Sequence, residues 1–280
     1  MTILTFDDMV TKIHDLPTLP AVVMELLNSI DQEDVDIHVL AKKISHDQAL
    51  TAKTLRLANS SFYALQVKVT TIQQAITLLG FKSVRSLITA AAVTGCFPEG
   101  HCHGFNHKAF WRHSIATATC AKVLAMHLHV NQDFAFTAGL LHDVGRLVLV
   151  TYFREELEEA IVYRIENDCS MLDAERAVLG IDHVSAGYGL ASHWNFSDTL
   201  LKAIAGHHNP EEPGIGFLAS IVHVADAITH ALDLSGTEDD MVPPLSQVAW
   251  DALGLSEETY QHVFRETQLQ FDEISRVLLN

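Results

Sequence analysis

The segment FAFTAGLLHDVGRLVLV, residues 134–150, decides how this chain is read. Apart from Thr137, His142, Asp143 and Arg146 it is built of apolar residues and glycine, and it lacks the alternation of a half-buried strand. Its length and composition predict buried helix. An imidazole and a carboxylate stand side by side in its middle, and both are costly to bury. A polar group taken from water without a partner loses on the order of a few kcal/mol, and a carboxylate loses more. Something in the fold must satisfy His142 and Asp143, either a metal ion or an ordinary hydrogen-bond network.

Outward from this segment the pattern is helical in both directions. Apolar residues recur at helical spacing at Val22, Val23, Leu26, Leu27 and Ile30, at Val39, Leu40 and Ile44, and at Ile72, Ala75, Ile76 and Leu79. Asp36, Asn131 and Ser197 stand where helix N-caps are expected, and Gly80 and Gly180 where helices should stop. The predicted class is all-α, a multi-helix bundle with an N-terminal helical subdomain. The Gly- and Pro-containing stretch GCFPEGHCHGFNH, 95–107, and the acidic LSGTEDDMVPP, 234–244, read as breaks. They divide the chain into 1–98, 99–234 and a C-terminal extension, 235–280, whose apolar positions Val263, Leu269, Phe271, Ile274, Leu278 and Leu279 suit docking on its own domain or on a second copy in a homodimer.

Composition narrows the function. The 280 residues carry 35 acidic against 18 basic side chains, a formal charge of −17. Such a surface repels nucleic-acid phosphates, so no nucleic-acid partner is expected. The longest apolar run is interrupted by His142–Asp143 and the first residues, MTILTFDDMV, lack a basic, apolar leader, so no membrane partner is expected and the cytoplasm is the expected compartment. Cys96, Cys102, Cys120 and Cys169 are scattered, and reduced thiols are the default. Seventeen histidines are the unusual feature.

The histidines form an order. His113 lies on a face with Phe110, Ile115, Ala118 and Val123; His142 and Asp143 follow; His183 opens HVSAGYG; His207 and His208 close LLKAIAGHH; Asp226 sits in IVHVADAITH. Imidazole and carboxylate are the usual ligands of zinc, iron and manganese, and a metal ion cancels the buried carboxylate charge. Two ions sharing a carboxylate activate water for attack on phosphorus. A lone histidine on an apolar face is more often hydrogen-bonded core or surface, and His127, His129, His193, His223 and His230 are read that way. The joint order H…HD…H…HH…D is what favours a metal for the others.

That order resembles the HD superfamily of metal-dependent phosphohydrolases and its HD-GYP branch. The resemblance implies that His113, His142, Asp143, His183, His207, His208 and Asp226 ligate two divalent ions, iron or manganese, with Asp143 bridging them. The N-terminal motifs LPTLP (16–20), DQALTAKTLRLANSSFY (47–63) and AITLLG (75–80) resemble the HDOD domain, the HD-related output domain of bacterial signalling proteins, over about residues 9–232. That resemblance implies a regulatory or scaffolding module acting on signalling proteins or a small phosphorylated ligand. Unlike many members of that family, this chain keeps all seven ligand positions; unlike HD-GYP enzymes, it follows His207–His208 with NPEEPGIGFL and no GYP.

Two functions therefore stand open: a non-catalytic signalling module, and a phosphohydrolase of a nucleotide or other phosphoester with Asp143 and Arg146 in its catalytic set. Arg146 replaces the lysine common in HD enzymes; it is read as a bidentate phosphate ligand or as a cation completing a helix C-terminus. Lesser candidates are a zinc set from Cys96, His101, Cys102, His103 and His107, a polar group at Arg56, Asn59, Ser60, Ser61 and Tyr63 that more simply packs and caps, and a basic cluster of Lys68, Lys82 and Arg85 on a solvated face.

Overall fold

The computed structural model describes residues 5–13, 19–28, 37–60, 63, 65–97, 101–237 and 241–279. Leu16 to Thr18 of the LPTLP motif, Ile30, Asp36, Ser61, residues 98–100 of the first break and 238–240 of the second lie outside them, as do the side chains of Leu27 and Leu40. Among the described residues the fold is all-α, with sixteen helices and no strand. The helices are α1 (Phe6–Ile13), α2 (Ala21–Asn28), α3 (Ile37–Ser45), α4 (Gln48–Ala58), α5 (Ile72–Leu79), α6 (Phe81–Cys96), α7 (His107–His127) and α8 (Gln132–Leu141). They continue as α9 (Val144–Tyr152), α10 (Arg154–Asn167), α11 (Met171–Val178), α12 (His183–His193), α13 (Asp198–Gly206), α14 (Phe217–Ala231), α15 (Gln247–Leu253) and α16 (Glu257–Leu278).

Local chemistry sets the ends of these elements. The Asn131 side chain accepts from Phe134 N–H at 3.1 Å to start α8, and Asp182 accepts from Ser185 N–H at 2.7 Å to start α12. Ser197 occupies the N-cap of α13 without making the side-chain bond. Gly80 closes α5 at φ +83°, a left-handed conformation that suits glycine. The side chain of Asn59 bridges to Val69, accepting from its N–H at 2.7 Å and donating to its carbonyl at 2.8 Å, so the RLANSSFY segment ends α4 and anchors the loop before α5.

Helix α7 is the central rod, packed by α8, α14 and α16. Two of its buried hydroxyls are satisfied within the helix, Ser114 by the Phe110 carbonyl and Thr119 by that of Ile115, and Thr117 pairs with Thr229 of α14. Close approach around it depends on small residues: a side-chain carbon on Gly139 of α8 would lie 2.8 Å from the Ala118 Cα of α7. The N-terminal helix α1 lays Met9 and Ile13 on α12 beside Gly189, and α16 returns to α7 and α4 through Val263, Phe271, Ile274 and Leu278. Two apolar positions picked out by periodicity face solvent instead, Val39 at 48% and Leu269 at 64% exposure.

The stretch Gln132–Tyr152 has the length and apolar content of a bilayer span, but it is buried inside the bundle and divided into α8 and α9. The division falls at His142–Asp143, which corrects the reading of that segment as one helix. Asp143 lies at φ −99°, ψ 11°, the sparsely allowed bridge region where site residues recur. Arg85 also departs from expectation: it is 5% exposed with its guanidinium over Phe81, so it belongs to no solvated basic face.

Candidate metal centre

Five structural positions deliver side chains to one buried point. His113 comes from the middle of α7, His142 and Asp143 from the α8–α9 turn, His183 from the first residue of α12, His207 and His208 from the end of α13, and Asp226 from α14. The structure brings all seven together. Asp143 does not cap α9; its carboxylate turns inward and faces both ways. Oδ1 lies 3.3 Å from His183 Nε2 and 3.6 Å from His207 Nε2, while Oδ2 lies 3.8 Å from His142 Nε2 and 3.0 Å from Arg146 Nε. Asp226 Oδ1 lies 3.0 Å from His113 Nε2 and 3.7 Å from His142 Nε2. His208 completes the first side, its Nε2 3.0 Å from that of His183.

The convergence of α9 on α12 has a specific cause. Gly145 has no side chain, and a carbon there would sit 1.9 Å from the His183 carbonyl oxygen and 2.4 Å from Gly187 N. The absent side chains of Gly145 and Gly187 let the two backbones nearly touch, which puts Asp143 within reach of His183. Two helix N-termini thereby point at the cluster, and their dipoles favour its carboxylates.

The remaining ring nitrogens are fixed from behind. His142 Nδ1 contacts the Gly139 carbonyl at 2.7 Å and His207 Nδ1 the Ile204 carbonyl at 2.7 Å. A carbonyl only accepts, so each Nδ1 carries a proton and each Nε2 is the nitrogen left to face the cluster. His183 Nδ1 meets Glu175 Oε2 at 2.6 Å, and the same oxygen accepts from the His183 backbone N–H at 2.8 Å. Glu175, on α11 and fully buried, is thus the carboxylate behind a candidate ligand, an arrangement common around metal sites.

The electrostatics of the cluster couple its imidazoles to its carboxylates. Burial raises the Asp143 carboxyl, but Arg146, His142 and His183 outweigh burial and hold it well below 3.8. Asp226 is held low in the same way by His113, His142 and His230. Burial lowers His142 and His183, but Asp143 on the first and Glu175 on the second more than reverse it; burial prevails at His113, His207 and His208, whose values fall. Without metal, His142 and His183 hold protons more tightly than ordinary imidazoles and, with Arg146, offset the carboxylates of Asp143, Glu175 and Asp226; a cation can take over that role and displace those protons. Asp143 Oδ1, His207 Nε2 and Asp226 Oδ1 are also buried with no hydrogen bond of good geometry. A donor set of imidazole nitrogen and carboxylate oxygen with unsatisfied inward-facing atoms fits a divalent transition metal.

Arg146 lies in the first turn of α9, so it does not complete a helix C-terminus. The thiols and imidazoles of the 95–107 break form no group of converging ligands among the described residues. Of the histidines read as ordinary, His230 joins the cluster, its Nε2 3.3 Å from Asp226 Oδ1. His223 is structural: it ties the His207 carbonyl to Ser246 N–H at 2.7 and 2.9 Å. Glu175 was not singled out from the sequence; it stands eight residues before His183 across a turn, where helical periodicity carries no information.

A model of the HDOD domain matches residues 16–210. The chain belongs to the HDOD-domain family. An HDOD protein from Geobacter sulfurreducens has the same fold, with a TM-score of 0.81 and 24% identity over 98% of both chains. A candidate phosphohydrolase from Shewanella amazonensis SB2B is 29% identical, with a TM-score of 0.75 over 96% of this chain and 97% of that one. An uncharacterised protein of Treponema pallidum (strain Nichols) is 25% identical over 207 residues, 72% of this chain; the HDOD chain spans 40% of that relative's length.

Proposed function

We propose that this HDOD chain is a regulatory module of bacterial signal transduction, working in the cytoplasm and assembled around two divalent ions, iron or manganese. His113, His142, Asp143 and Asp226 would hold one ion, and Asp143, His183, His207 and His208 the other. The observation that carries this reading is the convergence of these buried imidazoles and carboxylates, with Asp143 Oδ1, His207 Nε2 and Asp226 Oδ1 making no hydrogen bond of good geometry. Ligands from α7, the α8–α9 turn, α12, α13 and α14 would then share one partner, so metal and fold rise and fall together. Its partner would be a signalling protein or a small phosphorylated ligand.

The test is elemental analysis of protein purified without a histidine tag or chelator, beside its melting temperature. Near-stoichiometric metal is expected, with Asp143→Ala losing both metal and thermal stability. Retained metal and unchanged melting in that variant would defeat the reading.

A second reading, metal-dependent phosphohydrolase, is favoured by the side of the cluster nearest solvent. There Arg146, with its side chain 28% exposed, and the partly exposed His208 flank Asp143, and the Shewanella relative is itself described as a candidate phosphohydrolase. Bound ions supply Lewis acidity and activate water at neutral pH. Arg146 would grip a phosphate with two N–H groups while Asp143 holds the guanidinium in place, and as an arginine it would not transfer protons. Turnover of bis(p-nitrophenyl) phosphate with added manganese or iron, lost in Arg146→Met at unchanged metal content, is the expected result for this reading. An inactive wild-type chain with full metal excludes it for that substrate class.

A further inference from the structure

We propose that His230 is an additional ligand, binding the same ion as His113 and Asp226 and making the two metal positions unequal. This inference rests on the metal-centre reading above. His230 stands one helical turn after Asp226 on α14, the spacing that stacks side chains on one face. Its Nε2 is 3.3 Å from Asp226 Oδ1, its ring centroid is 4.4 Å from that of His113, and the ligating atoms of His113, Asp226 and His230 all lie within 4.8 Å of one another.

Hydrogen-bond geometry leaves this corner unsatisfied. Two imidazole nitrogens, from His113 and His230, stand 3.0 and 3.3 Å from the single oxygen Asp226 Oδ1, while His142 Nε2 lies farther from it at 3.7 Å and 3.2 Å from His113 Nε2. A carboxylate oxygen offers two lone pairs, and this one accepts no hydrogen bond of good geometry. Imidazole nitrogens gathered this closely around a carboxylate oxygen in poor hydrogen-bond geometry suit co-ligands of one ion.

The position of His230 is also built. On one side of it Thr229 contacts Thr117 of α7 at 3.1 Å; on the other, Arg112 of α7 donates to the carbonyls of Leu234 and Ser235 at 3.1 and 3.2 Å. These ties hold the end of α14 against the part of α7 that carries His113, as a ligand requires and a surface histidine does not.

An imidazole Nε2 has one lone pair, so His113 serves one ion only, and His230 adds to that ion's shell instead of creating a third position. That ion gains five protein ligands, His113, His142, Asp143, Asp226 and His230. The other keeps four, Asp143, His183, His207 and His208. Three imidazoles in the larger shell select iron, manganese or zinc over magnesium or calcium. The fuller shell makes that ion the firmly held one, and leaves exchange and outside ligands to the His183 side, where Arg146 also lies.

The experiment uses the full chain with manganese(II) as probe, comparing wild type and His230→Ala. Manganese per chain is measured after gel filtration, binding by titration, and ion environment by electron paramagnetic resonance. Expected is a loss of affinity for one ion on the order of tenfold or more, the scale set by losing even a supporting group behind a ligand, with the second ion unaffected. Wild-type stoichiometry, affinity and spectrum in His230→Ala overturn the assignment and leave the metal centre standing. A wild-type chain that binds no manganese, iron or zinc overturns both. Should His230→Ala fail to fold, wild-type crystals grown with manganese decide by anomalous scattering. An ion at about 2–2.3 Å from His230 Nε2 supports the proposal, and one bonded to His113 and Asp226 alone overturns it.

Discussion

Replacing Gly145 by alanine should unseat His183 without altering the side chain of any candidate ligand. The new carbon would fall 1.9 Å from the His183 carbonyl oxygen and 2.4 Å from Gly187 N, where ordinary contact begins at 3.4 Å. Helices α9 and α12 would have to part by about 1.5 Å, the difference between 3.4 and 1.9, and no flexible side chain is there to yield because both obstacles are backbone. Overpacking of a well-filled interior costs roughly 1–3 kcal/mol, and a backbone collision belongs at about 3. At about 2–4 °C per kcal/mol for a chain of this size, the metal-free melting temperature should fall by roughly 6–12 °C. The same shift is large against the narrow tolerance of a metal–ligand bond, about 0.2 Å, and it opens the 3.3 Å contact between Asp143 and His183. The manganese-induced rise in melting temperature should therefore shrink as well. The control is Gly95→Ala in α6, where a side-chain carbon meets nothing within 4 Å; alanine there should stabilise by up to about 1 kcal/mol. A Gly145→Ala protein that melts like wild type and binds manganese like wild type would refute the close crossing of α9 and α12 as the device that builds the site.

Glu175→Gln keeps the size of the side chain but removes the charge behind His183, and should weaken metal binding by roughly 10–100-fold with little change in helix content, read by metal titration and circular dichroism; unchanged affinity would make Glu175 a packing residue. In metal-free protein, His142 and His183 titrate above 6.5, so their stabilisation is complete below that pH and lost as pH rises through their raised values. His113, His207 and His208 titrate below 6.5, so theirs is complete above that pH and lost as pH falls through their lowered values. The stability of metal-stripped protein should peak near pH 6.5, whereas a melting temperature that climbs or falls steadily from pH 5 to 9 would contradict these assignments. Manganese binding near neutral pH should release protons from His142 and His183, seen as a dependence of the calorimetric enthalpy on the buffer's ionisation enthalpy.

What was legible in the sequence divides along physical lines. Helix class and the seven-residue order could be read because apolar periodicity and residue type are local properties. The turn at His142–Asp143 could not, because the flanking residues are as apolar as a continuous helix would require and the break is set by where Asp143 must point. Glu175 was hidden for a related reason: it acts across the α11–α12 corner, and only tertiary packing brings it to His183 Nδ1. His230 did leave a signal, the i,i+4 spacing from Asp226, but a lone histidine near a helix end gives no ground for choosing it over His127 or His193. Arg85 shows the opposite failure, where counting nearby positive charges suggested an open face and the aromatic ring of Phe81 shows a covered one.

The buried cluster explains why the surrounding bundle is built from such small residues. Imidazoles extend only a few ångströms from their helices, so side chains from α7, the α8–α9 turn, α12, α13 and α14 reach one point only if those backbones crowd together. Gly139 against α7 and Gly145 and Gly187 between α9 and α12 permit that approach, and each surrenders apolar side-chain area that would otherwise stabilise the core. A bundle selected for stability alone would fill those crossings, at roughly 0.8 kcal/mol per buried methylene. Instead the crossings are emptied and three carboxylates are placed behind them. Both concessions would be recovered together by the proposed divalent ion, which would take over the charge balance and join the elements that the glycines brought close. The separate N-terminal helices α1 to α6 make no part of this cluster, yet α1 braces α12 at Gly189 and α6 lies along α8, the helix that ends at His142. A change of metal state that moved α12 or α8 would thus be felt directly by the N-terminal helices, the mechanical route that the proposed regulatory role would need from centre to surface.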